Sequence, residues 1–192
     1  NEMKVGVVGA GHWGKNLVRN FTELGVLAGV ADPVESNRSR ALQDAPGIEL
    51  FANEGDLLAA GYDAVAIATP AATHFAIARK ALELGLDVFV EKPVALDAAE
   101  ALELHRMAEQ GERILMVGHL LLYQPAVTFI AEFLRVGKLG QVYTFHQRRS
   151  KLGRVRSEEN VMWSFGAHDV AVLLVLAGES PDQIQTWGHA AL

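Results

Sequence analysis

Three glycines near the start of the chain have the spacing of a phosphate-binding turn. Gly9, Gly11 and Gly14 follow the apolar run Val5–Val8 and precede an amphipathic segment, which predicts a strand, a tight turn and a helix. In such a unit the glycines permit the turn, the approach of a pyrophosphate and close packing of helix on strand. The alternative is a purely structural turn. The cofactor-binding candidates of this turn are Gly9, Gly11, His12, Trp13 and Gly14.

An acidic residue stands at the end of the second predicted strand. Asp32 follows an apolar run at 26–31, where a carboxylate accepts hydrogen bonds from the adenosine ribose of a dinucleotide. It also repels a 2′-phosphate, so NAD is favoured over NADP. Arg38 and Arg40 lie close downstream, and their positive charges weaken the preference for NAD. An acid in this place is otherwise an ordinary turn or capping residue.

Two later strand ends carry further candidates. Ligands of an open parallel sheet bind beyond the carboxyl ends of its strands, and apolar runs at 64–68 and 87–90 each lead into a polar turn. A lysine after the second run, held by a proline of fixed φ, points into the same crevice. The other reading of this residue is a solvated loop lysine. The candidates are Thr69, Pro70, His74, Glu91, Lys92 and Pro93.

Strand-like runs and helical segments alternate through the first 120 residues. This alternation predicts an α/β fold, a Rossmann-type doubly wound parallel sheet, with residues 1–120 as the dinucleotide-binding domain. Thr73 is placed to cap the helix that ends near Leu84, and Asp97-x-x-Glu100 has the form of a capping box.

The pattern changes after residue 120. A helix is predicted from Pro125, and Val142–Gln147 alternates between two unlike faces as a strand does. An apolar helix over 164–176 and a strand-like stretch at 183–187 follow. We therefore expect residues 121–192 to form a partial, truncated α+β domain for substrate binding and oligomerisation. The open edge of its sheet predicts a homo-oligomer.

Composition narrows the class of protein. The 192 residues are 50% hydrophobic, with a net charge of −6 and no cysteine, which favours a globular protein of the reducing cytoplasm without disulfides or thiolate metal sites. No apolar run is long enough to span a membrane. We expect no metal and no nucleic-acid partner. A basic cluster at 148–156 is the local exception, and is either a solvated loop or a binding site for an anionic substrate.

Taken together, these motifs resemble the Gfo/Idh/MocA family of sugar and inositol oxidoreductases along nearly the whole chain. The resemblance rests on Gly9-Ala10-Gly11-His12-Trp13-Gly14, Asp32-Pro33, Ala68-Thr69-Pro70 followed by His74, Glu91-Lys92-Pro93, and Gly137-x-x-Gly140. Three further motifs resemble the WlbA-type branch, whose members oxidise a UDP-linked N-acetylated glucuronate at its 3-hydroxyl. They are Gly118–Pro125, Arg149-x-x-Leu152-Gly153-x-x-Arg156, and Glu159–Trp163.

The resemblance implies a catalytic pair, Lys92 and His168. Oxidation of a sugar hydroxyl requires a group that accepts its proton, and histidine does so near neutral pH. Lys92 would stabilise the developing negative charge on the same oxygen. Many family members carry an aspartate four residues before this histidine, whereas this chain has Ser164. Asp169 points to a different helix face and is a poor substitute.

The resemblance to this family also implies a function for the basic cluster at 148–156. A nucleotide-sugar or uronate is anionic, and arginine recognises carboxylate and phosphate through paired N–H groups. The substrate-binding candidates are Lys92, Arg149, Arg156, Asn160, Ser164 and His168. The expected function is NAD-dependent hydride transfer from a sugar hydroxyl carbon. Alternatives are an inositol or free-sugar dehydrogenase, a non-catalytic NAD-binding protein, and NAD-assisted glycosidic cleavage.

Overall fold

The computed structural model describes residues 3–150 and 160–189, and for Ser164 the backbone alone. The chain divides into two compact units, Asn1–Gly118 and His119–Leu192. Among the described residues, no helix combines the length and apolar character needed to cross a membrane.

The first unit is built on a parallel sheet of six strands. Their order across the sheet is β3-β2-β1-β4-β5-β6, the order of a doubly wound nucleotide-binding sheet. The Rossmann prediction is therefore confirmed. The strands are β1 Val5–Val8, β2 Leu27–Ala31, β3 Glu49–Phe51, β4 Ala64–Ile67, β5 Asp87–Val90 and β6 Leu115–Val117.

Five helices cover the two faces of this sheet, and each face has its own apolar cluster. One cluster packs Leu17 and Val18 of α1 and Ala41 of α2 against the sheet. The other contains buried residues of α3, α4 and α5, among them Leu57 and Leu104. Burial on both faces explains why these strands read as continuous apolar runs. The helices are α1 Gly14–Glu23, α2 Glu35–Asp44, α3 Glu54–Leu58, α4 His74–Glu83 and α5 Ala98–Gln110.

The strand register brings the carboxyl ends of neighbouring strands level with each other. Val8 of β1 pairs with Ala31 of β2 and Ile67 of β4. Ile67 pairs in turn with Val90 of β5, and Val90 with Val117 of β6. The turns that follow these strands therefore share one edge of the sheet, which we call the carboxyl rim.

The two predicted helix caps have different outcomes. Asp97 accepts a hydrogen bond from the Ala99 N–H at 2.6 Å, as an N-cap does. The Thr73 cap is wrong, because a short 3₁₀ turn, Ala71–Thr73, precedes α4. The Thr73 hydroxyl instead contacts the Thr69 hydroxyl at 2.7 Å and the Pro70 carbonyl at 2.8 Å.

The second unit is helical in its described part. A 3₁₀ turn, Leu120–Tyr123, leads into α6, Pro125–Arg135. A π-helical stretch, Met162–Gly166, continues directly into α7, Ala167–Ala177. Gly178 ends α7 in a left-handed conformation, φ 73°, the usual way for a glycine to end a helix.

The strands predicted at Val142–Gln147 and 183–187 do not form. A strand requires a neighbouring strand for its backbone hydrogen bonds, and residues 119–150 and 160–189 contain none. Apolar side chains of both segments are exposed instead, including Tyr143 and Trp187. The open sheet edge on which we based the homo-oligomer prediction is therefore not seen in this part of the chain.

Candidate functional site

The glycine-rich turn joins β1 to α1 at the carboxyl rim. Gly9 has φ +88°, and a Cβ there would lie 2.9 Å from the Ala68 carbonyl. A Cβ on Gly14 would lie 1.8 Å from the Gly9 carbonyl oxygen. Gly11 differs, because a Cβ added there would have no neighbouring atom within 4 Å. Packing thus requires Gly9 and Gly14, whereas Gly11 leaves open space beside the backbone, where the sequence predicts the approach of a pyrophosphate.

Asp32 ties this turn to the connection between β2 and α2. Its side chain is only 5% exposed. One carboxylate oxygen accepts the Ala10 N–H at 2.8 Å. The other accepts the Val34 N–H at 2.8 Å and the Asn37 side-chain amide at 3.1 Å. Asp32 therefore acts as a turn residue that ties the two connections together, and its contact with a ribose stays a prediction.

The two arginines beside Asp32 hold backbone carbonyls. The Arg38 guanidinium donates to the Asp32 carbonyl at 2.6 Å. Arg40 donates to the carbonyl of Ala10 in the glycine-rich turn. Both side chains thus lie against the segment predicted to meet the adenosine half of a dinucleotide.

His74 connects the turns that follow β4 and β5. Its ring is 1% exposed, with Nδ1 2.7 Å from the Pro93 carbonyl oxygen and Nε2 2.9 Å from the Thr69 carbonyl oxygen. Such deep burial suits a support for the two turns better than direct contact with a cofactor. Pro93 is itself buried, whereas Pro70 is exposed and Thr69 half-buried.

Trp13 and Glu91 form a bond that sequence reasoning missed. The indole Nε1–H of Trp13 donates to a Glu91 carboxylate oxygen at 2.6 Å. Burial raises the pKa of Glu91, and hydrogen bonds from Trp13 and the Lys92 backbone oppose that rise. Both residues were cofactor candidates, but 78 positions separate them. His12 is exposed beside them, and Lys92 is half-buried.

In the second unit, His168 lies in the first turn of α7 beside another histidine. The ring centroids of His119 and His168 are 6.3 Å apart, with the planes at 80°. His119 was not among the predicted site residues. The signal in the sequence was its place in the Gly118–Pro125 motif. Nothing in the spacing of the two histidines predicts that they come together.

Arg149 is held by the residue that follows His168. Its Nε lies 2.7 and 2.8 Å from the two carboxylate oxygens of Asp169. The Gln147 amide donates to the same carboxylate at 2.7 Å. The hydrogen bond with Asp169 raises the pKa of Arg149. This ion pair uses one edge of the guanidinium, and its other edge has the shape that matches a carboxylate or phosphate.

The remaining substrate candidates have separate outcomes. The Asn160 side-chain oxygen accepts the N–H groups of Met162 and Trp163 at 3.0 and 3.2 Å, so Asn160 caps the π-helical stretch. Arg156 and the side chain of Ser164 lie outside the described residues. Within the described ranges, no group of three or more His, Cys, Asp or Glu side chains is arranged to hold a metal ion.

A family model matches the chain over residues 3–119, and its description is an oxidoreductase family with an NAD-binding Rossmann fold. The chain belongs to the Gfo/Idh/MocA family. The resemblance drawn from the motifs is thereby confirmed. A relative in this family is UDP-N-acetylglucosamine 3-dehydrogenase of Acidithiobacillus ferrooxidans, 33% identical over 192 residues. That alignment covers 99% of this chain and 59% of the relative.

Two further proteins are also similar to this chain. An inositol 2-dehydrogenase of Corynebacterium glutamicum is 27% identical over 92% of this chain and 54% of its own length. A solved structure of a putative oxidoreductase from Klebsiella pneumoniae has a TM-score of 0.77 and 32% identity, covering 93% of this chain and 51% of that one. The chain thus spans between half and three fifths of the length of these relatives.

Proposed function

We propose that the chain is an NAD-dependent oxidoreductase that transfers hydride from a sugar hydroxyl carbon to nicotinamide. We further propose a nucleotide-linked amino sugar or uronate as its substrate. The main support is the match along 99% of the chain to UDP-N-acetylglucosamine 3-dehydrogenase. The open space above Gly11, in a turn otherwise closed by packing, supports the cofactor half of the proposal.

The residues that would hold the cofactor lie along the carboxyl rim. The glycine-rich turn would present N–H groups to the phosphates, and the Asp32 oxygen that accepts the Ala10 N–H retains one unused lone pair for a ribose hydroxyl. NAD supplies the hydride acceptor when it is bound. A carboxylate at Asp32 favours NAD over NADP because it repels a 2′-phosphate.

The catalytic roles fall to Lys92 and His168. Loss of hydride from a hydroxyl-bearing carbon turns the alcohol into a carbonyl, so the hydroxyl proton must leave as well. An imidazole accepts that proton near neutral pH. The Lys92 ammonium donates to the same oxygen and stabilises its developing negative charge. Lys92 and His168 belong to different units, and their pairing is part of the proposal.

Arg149 is the residue that would select an anionic substrate. Asp169 fixes the guanidinium from one side, which lowers the entropy lost when its second edge binds a phosphate or carboxylate. An uncharged polyol has no use for such a group. The substrate charge therefore separates this reading from the second candidate, an inositol dehydrogenase, which the similar inositol 2-dehydrogenase favours.

A ligand panel tests both readings. Thermal unfolding would be followed with NAD, NADP, UDP-N-acetylglucosamine, its glucuronate analogue and myo-inositol, and NADH formation would be followed by absorbance. We expect NAD and a UDP-sugar to raise the melting temperature, and NADH to accumulate with that sugar. Arg149→Gln should weaken UDP-sugar binding and leave NAD binding unchanged. Oxidation of inositol alone would overturn the substrate assignment, and no stabilisation by any dinucleotide would overturn the cofactor assignment.

Two further expectations concern the cellular location and the oligomeric state of the protein. The cytoplasmic location rests on a chain of 192 residues without cysteine. The homo-oligomer now rests on the exposed apolar side chains of the second unit, such as Ile184 and Trp187. Both stay predictions, as do the absence of a metal and of a nucleic-acid partner.

A further inference from the structure

The hydrogen bond between Trp13 and Glu91 crosses the carboxyl rim. Trp13 is the residue before α1, and Glu91 directly follows β5. Strand β4 lies between β1 and β5 in the sheet, so the 2.6 Å bond spans the end of β4. It joins the glycine-rich turn to the turn that carries Lys92.

The Glu91 carboxylate is confined by other contacts as well. The Glu91 N–H donates to the Ile67 carbonyl at 2.9 Å, so the backbone of Glu91 is fixed at the end of β4. A Cβ on Gly118, after β6, would lie 3.1 Å from the carboxylate carbon and both of its oxygens. Glycine at position 118 therefore leaves the space that this carboxylate fills.

These contacts connect the indole to the residue that precedes Lys92. The indole N–H fixes the Glu91 carboxylate at 2.6 Å, and Glu91 is joined to Lys92 by a peptide bond. A hydrogen bond to a charged, half-buried acceptor is among the stronger ones in proteins. Loss of the indole donor therefore removes the fixed position of the carboxylate, and the turn that carries Lys92 loses its link to the glycine-rich turn.

We propose that Trp13 is a positioning residue for Lys92, which it holds in place through the Glu91 carboxylate. This inference rests on the proposed function only in that Lys92 is taken as catalytic. The link itself is a property of the first unit and has consequences without any substrate.

Hydrogen–deuterium exchange of the full chain tests the link directly. Trp13→Phe removes the N–H and keeps an aromatic ring, so exchange in a peptide covering 87–95 should rise about tenfold. Exchange in β2 should stay at the wild-type rate. Glu91→Ala should reproduce the effect, whereas Glu91→Gln keeps an acceptor oxygen and should remain much closer to wild type. Trp187→Phe, at an exposed tryptophan of the second unit, is the matched control.

The outcomes separate a positioning role from general support of the fold. Unchanged exchange at 87–95 in Trp13→Phe, equal acceleration across the whole sheet, or disagreement between Trp13→Phe and Glu91→Ala would overturn the proposal. In turnover assays, Trp13→Phe should lower kcat about tenfold, and this fall should exceed any rise in KM for NAD. A loss in KM alone would also overturn it. Failure of the wild-type chain to bind NAD would count against the proposed function and leave the exchange comparison valid.

Discussion

Replacement of Asp32 by asparagine is a demanding test of the site, because it changes one atom and no volume. The carboxylate accepts hydrogen bonds through both oxygens, from the backbone of Ala10 on one side and of Val34 on the other. An asparagine side chain has one acceptor oxygen. In either orientation its NH₂ group must therefore face a backbone N–H.

The expected cost follows from burial. Asp32 is 5% exposed, so water cannot replace the lost partner. A buried backbone donor left without its acceptor costs about 1–3 kcal/mol, and more when the lost acceptor was charged. Asn37→Ala removes the longer, part-buried bond to Asp32 at 3.1 Å and a bond from Arg40 at 3.3 Å, leaves no backbone donor without its acceptor, and should cost about 1 kcal/mol or less.

Urea unfolding followed by circular dichroism measures the free energy of unfolding of the wild type and of each variant. Calorimetric titration measures NAD binding at a temperature where the wild type and Asp32→Asn are both folded. Asp32→Asn should also weaken NAD binding at least about tenfold, because the Ala10 segment of the turn loses its anchor. An Asp32→Asn protein whose free energy of unfolding lies within about 0.5 kcal/mol of the wild-type value would behave like a protein with a surface substitution. That result would refute the assignment of Asp32 as the tie between the two connections.

Three further predictions concern the rest of the site. Lys92→Ala and His168→Ala should each bind NAD normally and lose turnover in NADH assays; full turnover in both would contradict the proposed proton acceptor and its helper. Asp169→Asn should weaken binding of an anionic substrate nearly as much as Arg149→Gln in calorimetric titrations, because Asp169 fixes the guanidinium, and a double variant should add little to either. Burial raises the pKa of Glu91, so its ionised form costs stability above the ordinary carboxyl range. The stability of Glu91→Gln relative to wild type should therefore rise as the pH increases from about 4 to neutrality, and a constant difference in urea unfolding would contradict this.

The parts of the fold that depend on local residue type were predictable. Glycines at Gly9 and Gly14 are required by backbone geometry and close packing, and apolar runs such as Ala64–Ile67 are required by burial on both faces of the sheet. Asp97 caps α5 because its partner lies two residues away. In each case the signal that predicts the element lies within a few positions of the residue.

The parts that depend on distant partners were not predictable. Trp13 meets Glu91 across 78 positions, and His119 meets His168 with no pattern that relates them. The alternation at Val142–Gln147 predicts a strand with two unlike faces but cannot supply the neighbouring strand that a sheet requires. Pairing between strands depends on residues that are distant in the sequence, whereas the periodicity of a segment depends only on its own residues.

The central claim is that the glycine-rich turn holds the phosphates of NAD, and Gly11→Ala tests it most directly. A methyl group there meets no protein atom within 4 Å, so we expect the melting temperature to stay within about 2 °C of wild type. The same methyl group would occupy the space proposed for the pyrophosphate, and NAD affinity should fall more than about tenfold in calorimetric titration. A folded Gly11→Ala protein that binds NAD as tightly as wild type would contradict the claim.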